Sequence, residues 1–338
     1  MKIAVICGGA AGVMAAITAK ETAPHAEVIL LEKTDKLLSK VKISGGGRCN
    51  VTHSCFSISE LCKHYPRGGK SLKKSFGHFY TKDTVEWFEN RGVKLKTESD
   101  NRMFPESNTS QTIVDCLMGE IKRLNIRLCT HSAVRKIQVE AEGFKLQLNK
   151  ESICFDRVII ATGGSPKLTG LEWLSDLGYQ IESPVPSLFT FNMPKEPIKE
   201  LMGVVAPNTI VRIQGSKLKQ EGPLLITHWG MSGPAILKSS AFGARLLADK
   251  NYQFNIQINW ANLSEEGYKE LIQEQQQTNR NIGNRNPFEL PNRLWLFLLK
   301  KLDINSDSVW SQLGKKNANR LLNLLLNDTY QVFGKTTF

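Results

Sequence analysis

The chain has 338 residues, 41 % of them hydrophobic, and a net charge of +12. That length allows a large core and two domains, and no apolar run reaches the length of a bilayer span. The excess of Lys and Arg is compatible with nucleic acid, an anionic cofactor or a solvated basic surface. Met1-Lys2 leads straight into an apolar run with no signal-peptide pattern, so a cytoplasmic location is the expectation. Seven cysteines, without Cys-x-x-Cys or zinc spacing, read as mostly buried thiols, and no metal site is expected.

Lys2 to Ile6 has the composition of a buried parallel strand. Cys7-Gly8-Gly9-Ala10-Ala11-Gly12 follows, then a small-residue helix ended by Pro24, then a second strand, Val28 to Leu31, that closes on Glu32. This is a βαβ unit with a dinucleotide site built in. Gly9 lets backbone approach a pyrophosphate, Gly12 lets the helix pack against the strand, and the helix N-terminus offers free N–H groups to phosphate. Glu32, twenty residues after Gly12, is placed to accept hydrogen bonds from ribose hydroxyls. Cys7 stands where the fingerprint has its first glycine, which is tolerable if its φ is negative.

Ser44-Gly45-Gly46-Gly47-Arg48-Cys49-Asn50-Val51-Thr52 comes next. Successive glycines expose backbone N–H groups, Arg48 adds a fixed charge, Cys49 a thiol, and Asn50 a donor and an acceptor. The loop reads as a second wall of the cofactor site. Lys63 to Lys74, followed by Phe76, Phe79 and Tyr80, interleaves cations with aromatics. Single-strand binding is one reading; an amphipathic helix with a solvated charged face is the favoured one, so nucleic acid is not an expected partner.

Together, Cys7 to Gly12, the Leu30-Leu31-Glu32-Lys33 strand end and Ser44 to Thr52 resemble the aminoacetone-oxidase-like family of FAD-binding proteins, relatives of the glutathione-reductase-type flavoproteins. The resemblance implies FAD as cofactor, with Gly9, Ala10, Ala11, Gly12, Glu32, Lys33, Gly45, Gly46, Gly47, Arg48, Cys49 and Asn50 around it. Three strand-like pieces between Ala133 and Phe155, with turns at Glu142-Gly143 and Asn149-Lys150-Glu151, match the β-meander of such domains. There the residue matching Val134 meets adenine through its backbone. Arg157 to Gly164 resembles the family's second FAD motif and adds Ala161, Thr162 and Gly163 to the site.

The Pro184 to Pro186 stretch marks a boundary, giving an FAD-binding domain at 1–187 and a second domain at 188–338. The implied fold is α/β: a Rossmann-like domain with a parallel sheet and β-meander, plus an inserted β-barrel-like domain with a small helical cap. Glu221 to Leu237 is similar to the insert's signature, and there His228 is the candidate catalytic proton relay. Gln273 to Arg293 reads as a solvated linker, and Leu294 to Leu302 and Val309 to Leu326 as helices. The resemblance further implies a returning strand and helix beyond residue 338. The expected function is therefore FAD-dependent hydride transfer on a small organic substrate, an amine or an unsaturated ketone, with NAD(P)H or oxygen as electron partner. A flavoprotein remnant with weak or no FAD binding, and an RNA-associated flavoprotein, are the alternatives.

Overall fold

Strand β1 (Lys2–Ile6), helix α1 (Ala10–Thr22) and strand β2 (Glu27–Leu31) form the expected βαβ unit. The computed structural model describes residues 1–149 and 151–337 and divides into two units, Met1–Pro184 and Val185–Phe338. Lys150, in the turn expected at Asn149-Lys150-Glu151, and the final residue of the second expected domain lie outside the described residues.

Eight more strands belong to the first unit: β3 (Thr52–His53), β4 (Leu95–Thr97), β5 (Arg102–Pro105), β6 (Arg127–Cys129), β7 (Lys136–Glu140), β8 (Gly143–Gln147), β9 (Ser152–Phe155) and β10 (Arg157–Ile160). β10, β1, β2 and β6 lie side by side as a parallel sheet, with Val5 opposite Ile159 on one side and Leu30 on the other. β7, β8 and β9 are the antiparallel meander, and β3, β5 and β4 a small antiparallel sheet.

The period of two sorts the central strands between two cores. Ile3, Val5, Val28 and Leu30 face Val13 and Ile17 of α1 and Ile113, Leu117 and Ile121 of the Ser110–Arg123 helix. Ala4, Ile6, Ile29 and Leu31 face Ile137, Leu146 and Phe155 of the meander. Both faces are covered, which is why β1 and β2 read as unbroken apolar runs rather than alternating ones.

The second unit is built on β11 (Thr190–Asn192), β12 (Val205–Ile213), β13 (Lys219–Thr227), β14 (Gly230–Ser232), β15 (Phe254–Asn259), β16 (Asp328–Val332) and β17 (Gly334–Thr336), in the spatial order β16-β15-β12-β13-β14-β11-β17, all antiparallel. The two strands at opposite ends of that order are separated by one residue, Phe333, whose N–H donates to the Asn192 carbonyl at 2.9 Å. Residues 328–336 therefore run as one strand that pairs β15 at its start and β11 at its end, and the sheet closes on itself.

Two sequence readings need correction here. Gln273 to Arg293 is not a solvated linker: the Glu265–Gln276 helix runs through its start, and Ile282, Phe288 and Leu290 are buried. Polar composition hid this because loop backbone does the binding. The Trp295 indole donates to the Ile282 carbonyl at 2.8 Å and the Trp310 indole to the Arg285 carbonyl at 3.0 Å, as buried indoles require. The thiols also differ: all seven cysteines are free, but only Cys49 is fully buried and Cys154 is exposed. Among the described residues, no helix is long and apolar enough to cross a membrane.

Candidate functional site

The glycine-rich turn begins with a strained residue. Cys7 has a φ of 91°, not the negative value the sequence reading requires of a non-glycine there. Its N–H donates to the Leu31 carbonyl at 2.7 Å, so strand pairing runs one residue beyond β1 and holds the conformation in place. A side chain in that region costs about 1–3 kcal/mol; glycine would remove that strain but lose about 0.5–1 kcal/mol in chain entropy. Cys7→Gly is accordingly expected to raise the stability of the protein by about 1 kcal/mol, seen as an upward shift of its urea midpoint. An unchanged or lower midpoint would mean that the thiol contributes more than the backbone strain removes.

Gly12 cannot carry a side chain, because a methyl group there would overlap the Cys7 carbonyl oxygen. This close approach sets the start of α1 beside the ends of β1 and β10, where the Ala161 N–H donates to the Ile6 carbonyl at 3.1 Å. Gly9 is the N-cap and supplies no side-chain cap, the first turn holds no acid, and Ala10 and Ala11 are exposed. The positive end of the helix dipole and its first N–H groups are thus open to an anion.

Glu32 closes β2 and is only 5 % exposed. Its Oε2 accepts from the Gly8 N–H at 2.8 Å, and its Oε1 from the Thr34 N–H and hydroxyl, each at 3.0 Å. Burial opposes its charge, but these donors, with the Cys7 thiol, outweigh burial and hold the carboxyl below the usual carboxylate range. The same burial and the neighbouring carboxylate push the Cys7 thiol up. Glu32 is therefore a fixed anion at neutral pH.

Glu32 and Cys7 line a cavity of about 190 Å³ with Lys33, Val134, Arg135 and Thr162. Lys33, Val134, Arg135 and Thr162 also border an adjoining space of about 450 Å³, reaching Gly163 and Trp173. Arg135 is steadied by a 2.8 Å hydrogen bond from its Nε to Asn149 Oδ1. Gly163 has a φ of 74° and open space around it. The structure so brings together residues from three separate stretches, 7–12, 32–33 and 134–163, at one end of the parallel sheet. Open helix N–H groups, a fixed carboxylate and a pair of cations form a donor and acceptor set that suits a dinucleotide.

Gly45 to Asn50 do not line this cavity. Gly45, Gly46 and Gly47 all have positive φ, as does Cys49 at 63°. A methyl group on Gly45 would strike the Asn50 N–H and the Phe104 ring, whereas Gly46 and Gly47 face open space. The loop packs on β5 instead: Arg48 lies 4.1 Å over the Phe104 ring and its Nη1 is 2.5 Å from Glu98 Oε1. The hydrogen bond from Arg48 holds the Glu98 carboxyl below its usual range. Arg48 is thus already matched by a carboxylate, and Asn50 is exposed.

His228 belongs to the second unit. It is exposed in the turn between β13 and β14, with its ring edge-on to Trp229 at 4.3 Å. Trp229 is itself anchored by a 3.0 Å hydrogen bond to the Thr190 hydroxyl. Sequence reasoning did not include Thr34, Arg135 or Trp173 in the site. Thr34, two residues past the acid, is in the usual place for a side-chain turn; nothing local marks Trp173.

The sequence profile described as the HI0933-like protein Rossmann domain matches residues 1–262. Over 247 residues the chain is 27 % identical to the 3-dehydro-bile acid delta(4,6)-reductase of Clostridium scindens, covering 71 % of this chain and 59 % of that protein. Over 251 residues it is 29 % identical to the ribosomal RNA dihydrouridine synthase of Escherichia coli, covering 70 % and 60 %. A solved flavocytochrome c3 fumarate reductase in its open conformation is similar at 18 % identity and a TM-score of 0.45, over 61 % of this chain and 46 % of that one. The chain thus spans about 60 % of the length of these two curated relatives.

Proposed function

The chain belongs to the HI0933-like Rossmann-domain family of FAD-dependent oxidoreductases, and on that premise we propose that its first unit holds FAD and serves hydride transfer on a small organic substrate. The observation that carries this reading is Glu32: a buried, charged carboxylate in a cavity beside the uncapped start of α1. Glu32 holds the ribose hydroxyls, and the N–H groups at Gly9 to Gly12 hold the pyrophosphate. The backbone at Val134 and at Ala161 to Gly163 borders the adenosine, with Lys33 and Arg135 at its margin. Gly45 to Asn50 are assigned to the flavin end of the site on the resemblance alone. Bound FAD supplies an isoalloxazine that accepts or donates a hydride, and the protein supplies position and field.

The substrate is an unsaturated ketone or an amine. The name of the Clostridium scindens relative, a reductase of a 3-dehydro bile acid, supports the ketone, with NAD(P)H as electron source; oxygen is the partner in the amine case. The test is anaerobic: the protein is mixed with NADPH and a cyclic enone, or with an amine, and flavin absorbance is followed. Bleaching by NADPH and recovery on adding the enone is the expected result. Bleaching by the amine, reversed by oxygen, would shift the assignment to amine oxidation, and no bleaching by either would remove both.

His228 is proposed as the proton relay. His228→Asn is expected to lower turnover at least tenfold while FAD content stays unchanged, and unaltered turnover would remove it from the reaction. A second reading is an RNA substrate, favoured by the net charge of +12 and by the name of the Escherichia coli relative.

A further inference from the structure

The first unit carries three neighbouring exposed lysines, Lys70, Lys73 and Lys74, on one short helix. The expected single amphipathic helix is in fact two short ones, Ile58–Lys63 and Gly69–Phe76. Between residues 57 and 80 there are five Lys and Arg against one acid, Glu60, and Glu60 is taken by Lys63 at 2.7 Å. Lys70, Lys73 and Lys74 are exposed at i, i+3 and i+4, so they share one helix face and repel one another. Among the described residues no carboxylate pairs with any of the three. Several cations elsewhere are matched: Arg91 with Glu21 and Glu120, Arg123 with Glu120, Lys269 with Glu265. A solvated helix face normally mixes signs; this one does not.

Aromatic rings flank the cations. Tyr65 and Phe79 are 41 % and 44 % exposed at the two ends of the Gly69–Phe76 helix. Tyr65 is fixed by its contact with Phe76, ring to ring at 5.5 Å. Leu72 and Phe76 are half-buried on the opposite side of that helix, so its outward face is charged and not the apolar face that a helix inserting into a lipid surface presents. Unpaired cations to neutralise phosphates, with exposed rings on which bases can stack, are what a single strand requires.

We propose that the surface formed by Lys70, Lys73, Lys74, Tyr65 and Phe79 docks single-stranded RNA. The inference stands without the flavin reading and deepens the RNA reading above by naming the surface that would dock the strand. Its test is fluorescence anisotropy of the full chain with a labelled oligouridine of about twelve nucleotides, over a series of salt concentrations, beside sedimentation with phosphatidylserine–phosphatidylcholine vesicles. The wild type is expected to bind the oligonucleotide with an affinity that falls steeply with salt. The Lys70→Gln/Lys73→Gln/Lys74→Gln variant is expected to bind at least tenfold more weakly at low salt, with a log–log salt slope smaller by about 2, or about 0.7 for each lost phosphate contact. Flavin content and melting temperature should not change. If the triple variant melts early, Lys73→Gln alone decides, with a slope smaller by about 0.7. No RNA binding, equal binding by wild type and variant, or vesicle binding without RNA binding would overturn the proposal. RNA binding through these lysines by a protein that holds no flavin would leave it standing and remove the flavin reading instead.

Discussion

Glu32→Ala is expected to weaken FAD binding by about a hundredfold or more. Two ribose hydroxyls donating to an ionised acceptor contribute about 1.5–3 kcal/mol each, and about 1.4 kcal/mol is a factor of ten in Kd. The variant also leaves the Gly8 N–H and both Thr34 donors without an acceptor, so the turn before α1 loosens with it. Glu32→Gln keeps the shape but not the charge, and should fall between the two. The pH dependence follows from the sign of the shift. The folded carboxyl lies below its ordinary value, so the contribution of Glu32 is complete above the unfolded carboxylate pKa, about 4.3, and is lost as pH falls through the lower folded value. FAD affinity should be flat near neutrality and drop only in acid. Titration by quenching of flavin fluorescence measures both; wild-type affinity in Glu32→Ala would remove the carboxylate from the site.

Asp328→Ala is expected to destabilise the second unit by about 3 kcal/mol. The Asp328 carboxylate is 1 % exposed and accepts from Trp260 Nε1 at 3.0 Å, the Tyr330 hydroxyl at 2.6 Å and Lys301 Nζ at 2.5 Å. Removing one partner of a buried pair costs about 3–5 kcal/mol, and the lower end applies because Lys301 is 36 % exposed and can turn to water. Burial outweighs all three donors and pushes the Asp328 carboxyl up. Asp328→Asn, which removes the buried charge but keeps an acceptor, should therefore cost less than Asp328→Ala. For a raised folded pKa the contribution is present below the ordinary carboxylate pKa and is lost as pH rises through the folded value. The wild type should lose this increment between acid and neutral pH, and Asp328→Asn should not. Urea unfolding monitored by tryptophan fluorescence tests it; a change below about 1 kcal/mol for Asp328→Ala would show that the network is dispensable.

Asp328 also shows where sequence patterning misleads. Residues 328–332 alternate buried and exposed, a strand signature, yet an acid at the first buried position conceals it, and reading the preceding leucines as a helix ends the pattern at Leu326. The β1-α1-β2 unit and the meander were legible because their burial is carried by apolar residues at the right period. The Ala161-Thr162-Gly163 strand end was legible through its resemblance to a known motif, and Ala161 does lie beside Gly12. Cys7 was not: nothing in its neighbours announces a positive φ, which the Leu31 carbonyl and the approach of Gly12 impose from outside the segment. Arg48 was legible as a charge but not as a paired one, since Glu98 lies fifty residues away and meets it only through the small β3-β5-β4 sheet. The burial of Ile282, Phe288 and Leu290 was invisible because backbone carbonyls, not side chains, receive the indoles of Trp295 and Trp310.

The proposed place of FAD is the end of the parallel sheet around Glu32. The most direct measurement is the flavin stoichiometry of the purified chain, taken from its visible spectrum after incubation with FAD and removal of the excess. The expected result is a yellow protein carrying one FAD per chain, with that flavin lost in Glu32→Ala. A correctly folded chain that stays colourless in excess FAD would contradict it.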